Sequence, residues 1–330
     1  MARRHLRVLT NSQLKTFRRC ARLHFYMYLM GYRGVFDAEA LRTGTIMHIG
    51  LEAWWRAEVD WLVAAIEAIR PHCESDYDFV RIGVLLQGYD ARWGDSRDEY
   101  EVLTVEHEFY APLVNPQTGA ASRTFELGGK MDVVVRKRSD GLVYVIEHKS
   151  TGDDIGAGSY YWTHLQIDSQ VSTYVAAGKL MGHDVAGVVY DVIGKPKLRP
   201  SKATPEELRK YTKRGELYAN QRAEDETPDE FRQRLVDHIA ENPDRYYRRG
   251  DVVRLEADER EAAFDAWQTA RAIREAELAN SHPRNPDACG QFGRVCEFFG
   301  VCTGSASLDD ETKFKRVENV HQELSGERAA

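Results

Sequence analysis

The sequence predicts a mixed α/β fold with helices flanking a central sheet. Three observations predict it. The first hundred residues carry helical spacing, residues 102–150 alternate like strands, and a helical stretch then leads to one more apolar strand, "VAGVVYDVIGKP". That order layers helices against a sheet. With 330 residues, 42% of them hydrophobic, the chain can bury a real core as one large domain or two ordinary ones.

A first helix is expected over 10–34. Thr10, Asn11 or Ser12 can cap it, and Leu14, Phe17, Cys20 and Leu23 recur at helical spacing. A longer helix follows Gly44 over 44–69, and a third covers 78–93. "VLTVEHEFYAPLV", "RTFELGGKMDVVVRKR" and "GLVYVIEHKS" read as strands. Ser139, Asp140 and Gly141 supply the turn between the last two. A two-residue turn at Asp140-Gly141 would set Asp132 opposite Lys149, with Glu147 one diagonal step away. Gly128-Gly129 suggests a bulge. "HLQIDSQVSTYVAAGKLMG" is a helix closing near Gly182. "TPEEL" and "TPDEF" each offer a cap, a first-turn proline and a capping-box Glu, which makes 204–250 a helical insert. The strand "DVVRLEA" and a helix over 258–280 come next. The division expected is a single domain over 1–305: a helical part at 1–100, a core at 101–200, the insert, and at 251–305 a strand, a helix and a cysteine-bearing region. Residues 306–330 lack a period and read as a flexible tail.

The net charge of −7 argues against a protein that coats nucleic acid through bulk positive charge. It leaves room for an enzyme with acidic ligands and a local basic groove. No stretch approaches the roughly 18 apolar residues of a membrane span. The start, "MARRHLRVLTNSQLKTF", lacks the apolar core of a secretory signal. No membrane partner and a cytoplasmic location are expected. Five cysteines, an odd number, speak against a disulfide framework and for a metal cluster.

Glu147 and Lys149 lie two apart on a strand and so share a face. Isolated acid-x-Lys pairs are usually salt bridges on a solvated face. Here the strand is apolar on both faces before Glu147, the signature of a buried central strand. Buried Asp132 and Glu147 repel each other unless cations intervene. Lys149 neutralises one charge, and a divalent ion that favours oxygen ligands, Mg²⁺ or Mn²⁺, would neutralise the rest. Upstream, His48 stands four residues after Gly44. Downstream, Gln170 and Tyr174 sit one turn apart on one helical face, with Gln166 as a competing position.

Asp132, Glu147-x-Lys149, the Gly-x-x-x-His of Gly44 and His48, and Gln170-x-x-x-Tyr174 resemble, in chain order, the motifs of the PD-(D/E)XK nucleases in their RecB-like and AddB-like branch. The resemblance implies a restriction-endonuclease-like core and a metal-dependent DNA exonuclease acting in repair, recombination or phage DNA processing. It also implies Mg²⁺ or Mn²⁺ on His48, Asp132 and Glu147. Lys149 would orient or deprotonate the attacking water or stabilise the pentavalent transition state, and Gln170 and Tyr174 would hydrogen-bond DNA phosphate or orient that water.

Cys20 with Cys289, Cys296 and Cys302 resembles the four-cysteine set of AddB-like and CRISPR-associated RecB-like exonucleases. That set implies a [4Fe–4S] cluster pinning the chain ends. The C-x6-C-x5-C spacing departs from those relatives and leaves zinc as an alternative; Cys73 fits no motif. Next to a nuclease site, Lys195, Lys197, Arg199 and Arg19 become candidates for phosphate contacts, and Tyr247 with Arg248 for base stacking. The partner implied is DNA, single-stranded or with free ends. No P-loop is present, so a helicase or recombination motor would be a separate protein. The alternative reading is a non-cleaving DNA-end-binding or assembly subunit on the same scaffold, within a recombination or spacer-acquisition complex.

Overall fold

The computed structural model describes residues 6–35, 39–291 and 294–324. The described residues open with a strand, β1 (Arg7–Thr10), just ahead of the expected helix start. Thr10 ends it and caps α1 (Asn11–Arg19) by accepting the Gln13 N–H. The helix expected over 10–34 is broken at Cys20, whose φ of −163° is extended. α2 (Ala21–His24), a π-helical turn (Phe25–Leu29) and β2 (Tyr32–Gly34) follow. The helix expected over 44–69 is two, α3 (Glu39–Arg56) and α4 (Trp61–Ile69), because Asp60 turns left-handed at φ 52°. α5 (Asp76–Trp93) is capped by Ser75.

The sheet contains β3 (Tyr100–Val114), β4 (Ala121–Lys137), β5 (Val143–Thr151), β6 (Val185–Gly194) and β7 (Tyr247–Val252) together with β1. Its order is β1-β4-β5-β6-β7, with β3 on the other edge of β4. β1 with β4 and β5 with β6 are parallel; the remaining pairs are antiparallel. This is the mixed sheet expected. α6 (Tyr160–Leu165) and α7 (Ser169–Leu180) make the crossover between parallel β5 and β6.

The turn from β4 to β5 spans four residues, 138–141, closed by the Leu142 carbonyl accepting the Lys137 N–H at 2.9 Å. Gly141 supplies the positive φ of 73°. The register therefore moves by two from the expected one. Val133 faces Ile146, which sets Asp132 level with Glu147 rather than Lys149. Nor does Gly128-Gly129 form a bulge. The β3–β4 irregularities fall between Val102 and Thr104 and between Pro112 and Val114. The two glycines serve close approach instead: a Cβ on Gly128 would lie 2.5 Å from Val8, and one on Gly129 2.7 Å from Phe109.

On one face of the sheet, α3, α4, α5 and α8 (Pro228–Ala240) bury Trp54, Trp55, Leu85 and Phe231 against Val133, Ile146 and Val189. On the other, Val171, Tyr174 and Val175 of α7 cover Val134, Val145 and Val188. The segment expected as a helical insert is mostly irregular. Thr204 pairs with Arg222 across a loop, its hydroxyl accepting the Arg222 N–H, so "TPEEL" yields only the 3₁₀ turn Glu206–Leu208. "TPDEF" does start α8, with a full Thr227–Glu230 capping box. The loop is anchored by Glu226, which is 2% exposed and accepts both Arg234 nitrogens at 2.7 Å and the Ser201 N–H.

The strand expected at "DVVRLEA" begins earlier, at Tyr247. That corrects the reading of Tyr247 as a base-stacking residue. It is 2% exposed, its ring lies against Gly88, and its hydroxyl donates to the Leu85 carbonyl. α9 (Glu256–Leu278) then packs on α1 and α7. The short β8 (Gly290–Gln291), β9 (Arg294–Val295) and α10 (Phe299–Thr303) close the cysteine region. The expected tail holds a strand, β10 (Phe314–Arg316), paired with β2. Its Phe314 is buried and stacked on Phe298, an apolar anchor too isolated in sequence to show a period. Among the described residues, no helix is long and apolar enough to cross a membrane.

Two outcomes test this packing. A Cβ at Gly88 would lie 2.1 Å from the Tyr247 hydroxyl, so Gly88→Ala should cost about 1–3 kcal/mol in urea unfolding. The Arg234 guanidinium, foremost, holds the Glu226 carboxyl below its ordinary 4.5, at about 2. A depressed carboxylate stabilises above its unfolded pKa and loses that contribution as pH falls through the folded one. Thermal melts should therefore show Glu226→Gln less stable than wild type at neutral pH, with the gap narrowing between about pH 4.5 and 2.

Candidate active site

β4 and β5 pair over only four residues each, Val133–Arg136 against Val143–Ile146, although both strands run on. Along the same edge of β4, β1 takes Phe125–Gly128. Residues 129–132 thus have no strand neighbour on that edge, and backbone polar groups inside a protein need partners. Side chains supply them. Tyr174 donates its hydroxyl to the Lys130 carbonyl at 3.0 Å, and Asp132 Oδ2 accepts the His148 N–H at 2.8 Å.

The expected site residues meet at this gap. Glu147, 2% exposed, accepts Lys149 Nζ at Oε1 and Gln170 Nε2 at 2.9 Å. Gln170 also donates to Tyr174 at 2.6 Å. Asp168 places Gln170 by capping α7 through the Gln170 N–H, and is itself tied to Lys15. The competing Gln166 is exposed at the end of α6. From the opposite layer, α3 brings His48 Nδ1 to 3.6 Å from Asp132 Oδ2.

Sequence reasoning missed Glu106. His48, Glu106 and Asp132 each offer a ligand atom, all within 4.8 Å of one another, the only such metal-ready group among the described residues. Glu147 lies outside that close set. Glu106 stands in mid-β3 at φ 55°, and its carboxylate is paired with Lys130. Nothing in "TVEHEF" distinguishes Glu106 from Glu108; the left-handed kink and the β4 register do.

The electrostatics match a cation site. Burial, then the nearby Glu147, pushes the Asp132 carboxyl well above its ordinary range. A cation between these two carboxyls would relieve that repulsion. Glu147 Oε2 is buried with no hydrogen-bond partner. Desolvation, then His148 and Lys149, lowers His48 to about 3, leaving the neutral imidazole that ligates metal. Burial alone would lower the Lys149 ammonium, but Glu147 and Asp132 outweigh it and raise it. Oxygen and imidazole donors of this kind suit Mg²⁺ or Mn²⁺.

His148 turns away from this group, as strand alternation requires. Its buried ring, lowered to about 4 by burial, lies 3.7 Å from Asp191. The fully buried Asp191 accepts Tyr89 at 2.6 Å and Arg249 at 2.9 Å, a network that backs the strand carrying Glu147 and Lys149.

Beside the site runs a groove of about 1140 Å³ lined by Arg19, Arg33, Arg81, Lys195, Lys197, Arg199, Arg294 and Lys315 against Glu39, Asp153 and Glu297, with Thr43 and Ser150 on its wall; Glu39 pairs with Arg81 and Arg199. Four of the expected phosphate-binding residues, Arg19, Lys195, Lys197 and Arg199, share it. Arg248, Lys195 and Lys197 line a second cavity next to it. All five cysteines are free thiols. Cys20, Cys296 and Cys302 pack round Leu23, Tyr26, Phe298 and Phe314, and Cys289 accepts the Cys296 N–H at its carbonyl at 2.7 Å. Burial raises the Cys302 thiol, and neighbouring Cys20 and Cys289 add to it. Cys73 is elsewhere, bonded to the Ile69 carbonyl.

The sheet, the gap and the D…E-x-K geometry define a nuclease of the PD-(D/E)XK kind. Residues 8–303 match the family model of the PD-(D/E)XK nuclease superfamily, and the chain belongs to that superfamily. Among solved structures, the crystal structure of SSO0001 is similar at 13% identity, covering 79% of this chain and 84% of that one, with a TM-score of 0.29. No curated protein matches.

Because Arg249 is left charged and buried when its partner is neutralised, Asp191→Asn should destabilise the protein by about 3–5 kcal/mol. Urea unfolding measures this; a change under about 1 kcal/mol would show that the network does not support the sheet.

Proposed function

We propose that the protein is a Mg²⁺- or Mn²⁺-dependent DNA exonuclease of the RecB-like branch, its nuclease unit spanning residues 1–305. The observation that carries this reading is the meeting of Asp132, Glu147 and Lys149 at the unpaired edge of β4, with His48 arriving from the opposite helical layer. His48, Asp132 and Glu147 would hold the cation. A bound divalent ion there lowers the pKa of a water and stabilises charge on the scissile phosphate. Lys149, kept protonated by its acidic neighbours, acts as a donor that orients the water or steadies the transition-state charge. Gln170 locks Glu147, and Tyr174 locks Gln170, so the acid is preorganised.

The basic groove supports DNA as the substrate: Arg19, Lys195, Lys197 and Arg199 line it, and Thr43 and Ser150 connect it to α3 and β5. A single strand or a free end is the form such a groove would track. We further assign Cys20, Cys289, Cys296 and Cys302 to a [4Fe–4S] cluster joining the N-terminal helices to the C-terminal region. Three free thiols around one apolar core, Cys20, Cys296 and Cys302, with Cys289 joined to Cys296 by a backbone hydrogen bond, support it, since Cys₄ is the usual ligand set of such clusters. Iron and acid-labile sulfide in the purified protein would bear this out; one zinc per chain would replace it.

The decisive assay incubates linear and circular DNA, single- and double-stranded, with Mn²⁺. Lys149→Ala should lower cleavage about 10²- to 10³-fold, the scale of losing one transition-state donor, and circles should resist. Equal cleavage by wild type and variant would remove Lys149 from the mechanism, and equal cleavage of circles would make the enzyme an endonuclease.

A further inference from the structure

Glu106 belongs to no part of the D…E-x-K pattern, yet its carboxylate reaches both Asp132 and His48. It holds a left-handed backbone in the middle of a strand, at φ 55°, while Val105 and His107 on either side keep their pairing with Val133 and Met131. The ladder thus skips one residue, the one level with Asp132. The Glu106 side chain is 12% exposed and is neutralised by Lys130, itself 32% exposed. An ion pair that solvent reaches is a weak reason to retain a left-handed glutamate in a strand. A second carboxylate, Glu147, keeps a buried oxygen without a partner at the same gap, and Glu52 takes up the Arg56 that also acts on Glu106, so the acids here outnumber the cations that meet them.

We propose that Glu106 is a further ligand of the divalent cation on the His48–Asp132 side, and that Lys130 is the stand-in cation that holds its carboxylate until the metal binds. This rests on the metal-dependent reading above. Lys130 and Asp132 are two apart on β4 and share a face, so Glu106 can exchange one positive partner for the other by side-chain rotation. The Lys130 backbone stays fixed meanwhile, its carbonyl held by Tyr174.

The test is Mn²⁺ affinity by calorimetry on chelator-treated protein without DNA, for wild type, Glu106→Gln, Lys130→Met and the double variant, each checked for an unchanged melting temperature. Glu106→Gln should weaken Mn²⁺ binding at least about tenfold, since even outer-sphere partners of a metal change its affinity by that factor. Lys130→Met should tighten it about two- to fivefold, the factor for losing a half-exposed competing ion pair, and should tighten nothing in the Glu106→Gln background. Unchanged affinity in Glu106→Gln, with wild type binding Mn²⁺, overturns the role of Glu106 alone; wild type that binds no Mn²⁺ overturns it together with the reading beneath it. Should Glu106→Gln fail to fold, Lys130→Met decides: tighter binding upholds the exchange and weaker or equal binding overturns it.

Discussion

The parting of β4 from β5 beyond Val133 and Ile146 is the constraint on which the rest of the site depends. A buried strand edge with open backbone groups cannot persist unless something fills it. β1 fills one end, pairing in parallel with Phe125–Gly128. The middle is filled by side chains: Tyr174 from α7 takes the Lys130 carbonyl, and Asp132 folds back onto the His148 N–H. The residues that stop the sheet from closing are thus the residues that make the site, and the helical layers on both faces can reach it.

Two kinds of charge compensation surround that gap, and they differ in what they permit. On the α5 side, Asp191, Arg249 and Tyr89 are matched among themselves, and burial keeps His148 neutral. That network is a structural support. Around the gap, Asp132, Glu147 and Glu106 meet Lys149 and Lys130, and the Arg56 that also acts on Glu106 is paired with Glu52. The remaining acidity is the electrostatic deficit that a divalent ion corrects. The chain as a whole is acidic, yet eight arginines and lysines, against three acids, line one groove beside this deficit. Under the proposed function, the groove for phosphate and the group for metal would lie in adjacent places.

Much of the fold was legible because strand alternation, capping pairs and turn residues are local. The three-strand run, α5, α7, β6 and the "TPDEF" cap all fall where local pattern puts them. Errors arose where a partner distant in sequence overrode a local signal. Thr204 forgoes its cap to pair with Arg222, Gly128 and Gly129 make room for Val8 and Phe109 where a bulge was expected, and Phe314 finds Phe298 from within a polar tail.

For the site, the sequence alone determined the chemistry. Two carboxylates and a lysine at strand spacing, a helix-borne histidine, and a Gln–Tyr pair one turn apart are statements of residue type and periodicity, and both survive folding. Tertiary structure alone decided the pairing of these groups. A four-residue turn shifted Asp132 from Lys149 to Glu147, and a left-handed Glu106 entered the metal-ready group. Gly88 drew Tyr247 into the core, away from any base. Each of these outcomes depends on register or on close approach between strands and helices far apart in the chain. Alternation cannot encode such distances, because it repeats every two residues and reads the same at every register two apart.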